Sequence, residues 1–443
     1  MNTRFAGRGI VAGLAVVALG LTGCGGDKPA TQASSAGGSS SAASTEKVTI
    51  DYLHRLPDGE GMTKVADIVA KWNKEHPNIQ VKATKFDGKA PEMIKKLEND
   101  AKANTAPCLA QVGYAEIPSL FTKGLLADVS ADADKYKDGF SEGAMGLMKV
   151  GPATVGLPQD SGPLVYFYNK AEFDKLGLKA PTTVAELTDV AKKAAAKGKY
   201  AVAFQPDEAQ YGLAAQAAAA GASWYTAEGD KWKVNVTSPE TAKVTEFWQG
   251  AIDGKAALVE NRWGDGFKKA LVDQKLIGTI GAAWEASLLA GDMAGSKNVG
   301  QWQVAQLPAF GDKQMTGPDG GSGVAVMKGC KAPSQAMEFN NWFNTQTTEL
   351  ATQGLVVAAK GTVTTPAEVK KFFGGQDVMA ELGKANESIN PNFGYVPTWP
   401  AVADPMNKAA AAAGEGKGKV SAIFEAAQTT SVQSLKDAGL PVA

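Results

Sequence analysis

The stretch WNKEHPNIQV, residues 72–81, decides the fold class, because a predicted helix ends within it and a predicted strand begins. Apolar residues recur at helical spacing from Met62 to Trp72, and the helix ends at His76 because a proline follows. From Ile79 to Ala83 apolar and polar residues alternate, as in a strand with one buried face. The stretch therefore predicts one helix-to-strand step of an α/β fold.

The same alternation of helices and strands extends on both sides of this stretch. Residues 48–53 and 109–112 are further predicted strands, and apolar residues from Ile94 to Ala101 indicate another helix. Strands that alternate with helices form a mostly parallel sheet with right-handed crossovers. Because ligands bind at the carboxyl ends of such strands, we expect the loops at residues 54–61 and 111–116 to share one rim.

The N-terminal residues predict export from the cytoplasm. Arg4 and Arg8 precede an apolar run, residues 10–21, which is too short to span a bilayer and is typical of a signal peptide. Leu21-Thr22-Gly23-Cys24 resembles a bacterial lipobox, in which the cysteine is lipidated and becomes the mature N-terminus. Residues 1–23 are therefore expected to be a lipoprotein signal peptide. The alternative is an ordinary signal peptide whose cleavage site contains Cys24 by chance.

A linker and a large folded body are expected after the signal peptide. Residues 24–45 are rich in Gly, Ser, Ala and Thr, which predicts a flexible, lipid-anchored linker. The folded part begins near Glu46. Its length of about 400 residues exceeds what one core holds comfortably, and therefore indicates two lobes.

The charge composition argues against nucleic acid and against charged ligands. The chain has a formal net charge of −1 at pH 7, and no basic stripe is present in the sequence. Beyond the signal peptide, Arg55 and Arg262 are the only arginines. Arginine is the side chain best suited to bidentate capture of phosphate and carboxylate groups, so a neutral ligand is favoured.

Five short motifs resemble, in order, those of the large solute-binding proteins of ABC importers. They are residues 72–81, 124–129, 156–158 with 168–170, 278–284 and 320–327. The closest branch is the maltose-binding-like branch, whose members bind oligosaccharides. The resemblance implies two α/β lobes, each a mostly parallel sheet flanked by helices, joined by a multi-strand hinge with the ligand in the cleft between them. It implies an N-terminal lobe of residues 46–159 plus 319–372 and a C-terminal lobe of residues 160–318 plus 373–443.

The function that this resemblance implies is that of a substrate-binding receptor. We expect it to capture a neutral sugar, in particular an oligosaccharide, and to deliver it to ABC permease subunits in the membrane. The receptor is expected to be a monomer that needs no cofactor, binds no nucleic acid and contacts the membrane only through the lipid on Cys24. The alternatives are a receptor for a non-sugar solute, such as a peptide or polyamine, and a secreted glycosidase.

Enzymatic activity is not expected. His54 and His76 are the only histidines, and no His/Cys cluster accompanies them, which argues against a zinc site. The chain has neither a Gly-x-Ser-x-Gly motif before a helix nor a phosphate-binding loop with its lysine. Carboxylate pairs are frequent, so composition alone leaves a glycosidase open.

Cys108 and Cys330 are the cysteines beyond Cys24. The sequence alone permits either a disulfide or two buried thiols. In the resembled fold a return strand, here residues 323–327, lies antiparallel beside the third strand, here residues 109–112. That neighbourhood would bring the two cysteines together, so the resemblance implies a disulfide between them.

A sugar site needs aromatic rings for the sugar faces, and carboxylates and amides for the hydroxyl groups. On the predicted rim and hinge we expect such ligand-binding side chains at Arg55, Asp58, Glu60, Gln111, Tyr114, Asp160, Gln205, Asp207, Trp263, Trp284, Glu285, Ser322, Tyr395 and Trp399. Trp284 and Trp399 are the expected stacking rings. Asp58 and Glu60 have an alternative role, because acidic residues there would stabilise the start of the following helix.

Overall fold

The computed structural model describes residues 47–443 apart from Glu60, Gly61 and Lys89. The predicted signal peptide, the lipidation site Cys24 and the linker lie outside the described residues. No helix in the described part is long and apolar enough to cross a membrane.

Strands and helices alternate along the first half of the described chain, as the sequence predicts. The strands are β1 (Val48–His54), β2 (Ile79–Lys85), β3 (Leu109–Gly113), β4 (Lys149–Val150), β5 (Ala153–Thr154), β6 (Gly156–Asn169), β7 (Ala203–Phe204), β8 (Tyr225–Glu228), β9 (Lys231–Val234), β10 (Leu258–Val259), β11 (Gly278–Ala282), β12 (Trp302–Gln306) and β13 (Pro318–Val326).

Helices cover the sheet and fill the C-terminal part of the chain. They are α1 (Val65–Glu75), α2 (Ala90–Lys102), α3 (Ile117–Thr122), α4 (Ser130–Ala133), α5 (Glu142–Leu147), α6 (Lys170–Lys175), α7 (Val184–Ala195), α8 (Ala209–Ala219), α9 (Pro239–Asp253), α10 (Asp265–Val272), α11 (Glu285–Asp292), α12 (Pro333–Asn344), α13 (Thr347–Thr352), α14 (Ala367–Phe372), α15 (Val378–Glu387), α16 (Trp399–Gly414) and α17 (Ser421–Asp437). Short 3₁₀ helices lie at Lys137–Gly139 and Pro206–Glu208.

The helix-to-strand step at residues 72–81 folds as predicted. One face of α1 is buried, with Val65, Ile68, Val69 and Trp72 packed inward. The helix ends where the backbone NH of His76 donates to the carbonyl of Trp72, directly before Pro77. The buried face of α1 therefore attaches this helix to the sheet that β2 joins.

The main sheet has the strand order β11-β6-β13-β3-β1-β2, and β12 also pairs with β6. β1 is parallel to both β2 and β3, as expected for crossover units. In contrast, β6 is antiparallel to β11, β12 and β13. The sheet is therefore mixed, because it contains both parallel and antiparallel pairs.

β6 is one continuous strand of 14 residues, although it contains two prolines and a glycine. Its first part pairs with β13, and from Leu164 onward it pairs with β11 and β12. The pairing with β13 contains register shifts, which accommodate Pro158 and Pro163 in the strand. Gly162 is required there, since a Cβ atom would lie 2.0 Å from the carbonyl oxygen of Asp319.

The return strand lies where the resemblance implies. β13 is antiparallel to β3, with Val326 opposite Leu109, and the NH of Met327 donates to the carbonyl of Cys108 over 2.9 Å. Cys108 and Cys330 are joined by a disulfide with their Cα atoms 4.6 Å apart. The covalent bridge therefore connects the ends of two neighbouring strands, 222 residues apart in sequence.

Candidate ligand-binding cleft

A cleft of about 640 Å³ opens at the carboxyl ends of β1 and β3. Its floor is formed by the central parts of β6 and β13, and its far wall by the residues around α8 and the start of α11. Its volume lies within the range of small-molecule sites in proteins. The polar side chains in its lining are Arg55, Gln111, Tyr114, Glu116, Asp160, Glu208, Tyr211, Arg262, Trp284, Ser287, Asp319, Ser322, Gln353 and Tyr395.

Half of the residues expected from the sequence line this cleft. They are Arg55, Gln111, Tyr114, Asp160, Trp284, Ser322 and Tyr395. These residues are far apart in sequence. They lie together because β6 and β13 bring the loops after β1 and β3 beside the residues between β11 and α11.

A hydrogen-bonded chain of side chains forms the β3 side of the cleft. The amide of Gln111 accepts from the backbone NH of Arg55 over 2.7 Å and donates to the hydroxyl of Ser322 over 3.0 Å. The Ser322 hydroxyl in turn donates to the carboxylate of Asp160. The hydroxyl of Tyr114 donates to the carbonyl oxygen of Asp160 over 2.8 Å. These contacts fix the side chains before any ligand arrives, which lowers the entropic cost of binding.

Burial raises the pKa of two carboxyl groups in this part of the cleft. It raises the pKa of Asp160 to about 6, although hydrogen bonds from Ser322 and the charge of Arg55 oppose the shift. Burial also raises the pKa of Glu116, against the same opposing charge of Arg55. A carboxyl group that protonates near neutral pH can either donate or accept a hydrogen bond.

Two contacts fix the side chain of Trp284, the residue directly before α11. Its indole NH donates to the carbonyl oxygen of Asp319 over 2.9 Å. The guanidinium carbon of Arg262 lies 4.8 Å from the centre of the ring, which is a cation–π geometry. The ring is part of the cleft lining and is only partly buried. It is therefore a rigid aromatic surface that a ligand can contact.

A buried ion cluster supports this ring. Arg262 contacts the carboxylate of Glu285 directly, lies 3.1 Å from Asp319 and lies 3.8 Å from Glu208. Burial would lower the pKa of the Arg262 guanidinium, but the charges of Asp319 and Glu285 outweigh it and raise that pKa. Three carboxylates therefore face one guanidinium.

The pKa values of Glu208 and Glu285 are both raised in this cluster. Burial, followed by the charges of Asp319, Asp207 and Glu285, raises the pKa of Glu208 to about 7, against the opposing charge of Arg262. Burial likewise raises the pKa of Glu285. Glu285 is fully buried, and its carboxylate accepts from the backbone NH of Ala282 over 2.8 Å. Contrary to the expectation from sequence, Glu285 lies behind the cleft surface.

The carboxylates of two other expected residues, Asp58 and Asp207, accept hydrogen bonds from backbone NH groups. The carboxylate of Asp58 accepts from the NH of Val65 over 2.9 Å at the start of α1, and from the amide of Gln353 over 2.7 Å. This is the alternative role considered for Asp58, and that residue is absent from the lining. Asp207 also lies outside it, because its carboxylate accepts from the NH of Arg262 over 2.8 Å. Glu60 lies outside the described residues.

Three further expected residues lie outside the lining of the cleft. Gln205 borders a separate small void beside Trp248. Trp263 packs against Phe267, with ring centres 5.5 Å apart. Trp399 is 3% exposed and packs behind Tyr395, with ring centres 5.0 Å apart. Of the three, Trp399 is drawn fully into the core, because burial of its apolar surface is favourable.

Several residues of the lining were not among those expected from the sequence. The polar ones are Glu116, Glu208, Tyr211, Arg262, Ser287, Asp319 and Gln353, and the larger apolar ones are Leu56, Met62, Leu288 and Leu355. Glu116 lies within a predicted rim loop, and Arg262 is one of the two arginines beyond the signal peptide, so both carried a detectable signal. No such signal marks Asp319 or Glu208, because only the packing of β13 and α8 brings these two residues to the cleft.

This lining suits a ligand with apolar faces and many hydroxyl groups. The Trp284 ring offers a stacking surface, and the surrounding carboxyl and amide groups both accept and donate hydrogen bonds. In the described part of the chain, no group of three or more His, Cys, Asp or Glu side chains is arranged to hold a metal ion.

Comparisons with known proteins agree with this geometry. Residues 67–372 match the family model described as bacterial extracellular solute-binding protein. The chain is 54% identical to the galacto-N-biose/lacto-N-biose I-binding protein of an ABC transporter from Bifidobacterium longum, solved in complex with lacto-N-biose. That match covers 90% of this chain and 99% of the other, with a TM-score of 0.84.

Two more distant relatives are similar over all or part of the chain. An ABC transporter-associated binding protein from B. animalis subsp. lactis Bl-04, solved with β-1,6-galactobiose, is 22% identical over 90% of this chain and 100% of the other, with a TM-score of 0.71. The protein YcjN of Escherichia coli (strain K12) is 23% identical over 218 residues, which is 46% of this chain. The chain spans about half, 48%, of the length of that curated relative. Since the family model covers more than half of the chain, the protein belongs to the bacterial extracellular solute-binding protein family.

Proposed function

We propose that the protein is the substrate-binding receptor of an ABC importer, and that it captures a neutral oligosaccharide in the cleft and delivers it to a membrane permease. The observation that carries the proposal is the Trp284 ring, clamped by Arg262 and the Asp319 carbonyl and facing a cleft rich in carboxyl and amide groups. The 54% identity with a protein solved in complex with lacto-N-biose supports the same ligand class.

Binding would couple sugar contacts to closure of the two lobes. The proposed N-terminal lobe, residues 46–159 plus 319–372, supplies Gln111 and Asp319, and the proposed C-terminal lobe, residues 160–318 plus 373–443, supplies Trp284. A sugar stacked on Trp284 while bonded to the opposite lobe makes both sets of contacts only in the closed form. Because a ligand stabilises the state that it binds better, sugar would shift the receptor toward closure.

A ligand panel tests this function. We would measure thermal stability and calorimetric affinity with lacto-N-biose, β-1,6-galactobiose, maltotetraose, spermidine and a neutral tripeptide. A ligand present at 100 times its dissociation constant adds about 2.7 kcal/mol to the free energy of unfolding, which a thermal shift detects readily. We expect stabilisation by at least one neutral sugar, with lacto-N-biose the first to test. Stabilisation only by spermidine or the tripeptide would contradict the proposal.

We propose binding without catalysis. In support, the Asp160 carboxylate accepts from Ser322, while the carboxylates of Asp319 and Glu285 are held by Arg262. A retaining or inverting glycosidase needs one carboxyl group as acid and a second as nucleophile or base. Prolonged incubation of the protein with its best-binding oligosaccharide should therefore leave that sugar intact. Release of smaller sugars, absent from a heat-denatured control, would favour the glycosidase.

The family is extracellular, and we propose that this member is held at the outer face of the cell membrane by a lipid on Cys24. The Gly- and Ser-rich residues 24–45 would then act as a tether with a root-mean-square reach of about 25 Å. We further propose that the receptor acts as a monomer and that its protein partners are the permease subunits. Labelling with a radioactive fatty acid tests whether a lipid is attached to Cys24. The natural chain should be labelled, and Cys24→Ser should not.

A further inference from the structure

Among the described residues that line the cleft, acidic side chains outnumber basic ones. Four carboxyl groups line it, those of Glu116, Asp160, Glu208 and Asp319, and the carboxylate of Glu285 lies directly behind. The positive side chains in the lining are Arg55 and Arg262. The guanidinium group of Arg262 is already matched by more than one carboxyl group.

On the far wall, Arg262 is already engaged by carboxyl groups. Its guanidinium group contacts Glu285 and Asp319, and Glu208 lies 3.8 Å away. The side chain of Arg262 is 3% exposed, while that of Glu208 is 37% exposed and belongs to the cleft lining. An anionic ligand approaching this wall would therefore meet the carboxyl group of Glu208 before it met the cation.

On the opposite side, the charge of Arg55 lowers the pKa of both Asp160 and Glu116 against the effect of burial. Among the described residues, the wall around Arg262 therefore offers no unmatched cation for bidentate capture of a carboxylate or sulfate. A hydroxyl group carries no net charge, so the same side chains can accept from it without such a penalty.

Resting on the proposed sugar-binding function, we propose that the cleft is a charge filter that excludes acidic sugars, and that Glu208 is the specificity-determining residue. Uronic, sialylated and sulfated sugars would be rejected because of their negative charge. Glu208 sets the filter because it is the exposed member of the three carboxyl groups around Arg262.

The protonation of Glu208 makes the filter dependent on pH. The groups that face Glu208 are Arg262, Asp319, Asp207, Glu285 and, on α8, Tyr211. Burial and the surrounding carboxylates raise the pKa of Glu208 to about 7. An anion would bind better when Glu208 is neutral, so its affinity should rise as the pH falls through that pKa.

The test compares two ligands of the same shape and different charge. The probes are lacto-N-biose derivatives with galactose C6 as a carboxylate or as a carboxamide, and calorimetry gives the ratio of their affinities. The probe carboxylate is ionised at pH 8 and at pH 5.5, since an ordinary carboxyl pKa is about 4. The natural protein, Glu208→Gln and the exposed α9 control Glu246→Gln would be compared.

We expect the amide to bind at least about tenfold more tightly than the acid at pH 8, a difference typical of an unmatched charge in a partly buried site. The ratio should shrink by at least about threefold at pH 5.5 and in Glu208→Gln, and should be unchanged in Glu246→Gln. Equal affinities at pH 8, including failure of both derivatives to bind, would overturn the filter. A ratio that does not change in Glu208→Gln would overturn the role of Glu208, whatever its dependence on pH. Should Glu208→Gln fail to fold, Glu208→Ala is compared at pH 8 instead, because Asp160, whose pKa is about 6, also titrates between the two pH values. Failure of every neutral sugar to bind would instead refute the proposed function.

Discussion

The guanidinium carbon of Arg262 lies 4.8 Å from the centre of the Trp284 ring, and the backbone carbonyl of Asp319 accepts a hydrogen bond from the indole NH. Arg262 is fixed in turn by Glu285 and the Asp319 carboxylate. The aromatic surface of the cleft is therefore positioned by a buried ion cluster, whose residues come from three separate segments of the chain.

Trp284→Ala should weaken sugar binding by about 1–3 kcal/mol, because the variant loses a stacking surface that is already fixed in place. Isothermal calorimetry with the best sugar of the panel measures the change. Trp342→Phe is the matched control, since Trp342 lies on α12 and packs against Trp72, away from the cleft. Affinity unchanged in Trp284→Ala would contradict the assignment of the ring.

Trp399→Ala should act mainly on stability. The ring is buried among Trp224, Tyr225 and Tyr395, and its truncation leaves a large cavity. We expect a loss of about 3–5 kcal/mol in the free energy of unfolding, measured with urea. Sugar affinity should fall less than in Trp284→Ala, because Trp399 can act on the cleft only through Tyr395. A larger loss of affinity than of stability would restore Trp399 as a direct ligand contact.

The disulfide between Cys108 and Cys330 should contribute about 2–5 kcal/mol to the free energy of unfolding, because it closes a long loop in the unfolded chain. Urea unfolding of the double variant Cys108→Ser/Cys330→Ser measures this contribution. Thiol titration of the denatured, unreduced natural protein should find neither cysteine free. Two reactive thiols per mature chain would exclude the bridge.

Glu208→Gln should stabilise the protein at high pH and have no such effect at low pH. The pKa of Glu208 rises from an ordinary value of 4.5 to about 7 on folding, so the folded state binds more protons between these values. In the natural protein, the stability that depends on this proton is complete below pH 4.5 and is lost as the pH rises through 7. Glutamine resembles the protonated acid, so the gain should appear above pH 7 and fade toward pH 4.5 in urea unfolding. A gain that is equal at both pH values would show that charge is not its cause.

Cys24→Ser should release the protein from the membrane and leave its sugar affinity unchanged. The lipid would be attached through Cys24, which is separated from the folded body by the Gly- and Ser-rich residues 25–45. Membrane fractionation followed by calorimetry on the released protein measures both properties. If the affinity falls together with membrane attachment, the N-terminal segment does more than tether the receptor.

The fold was predictable because its signals are local. The alternation of apolar residues before and after His76-Pro77 predicts a helix and a strand, and both form close to the expected positions. The continuity of β6 was not predictable, since Pro158, Gly162 and Pro163 normally interrupt a strand. Pairing with β13 keeps them in one strand, and that partner lies more than 150 residues further along the chain.

The sequence by itself determined the α/β class, the expected order of the motifs and the rim loops that supply Arg55, Gln111 and Tyr114. The tertiary structure alone decided which acidic and aromatic side chains face the ligand. Glu285 and Trp399 turn into the core, while Glu208 and Asp319 reach the cleft. The physical reason is that helix and strand propensities act between near neighbours, whereas the direction of a side chain depends on the charges and surfaces that distant segments bring beside it.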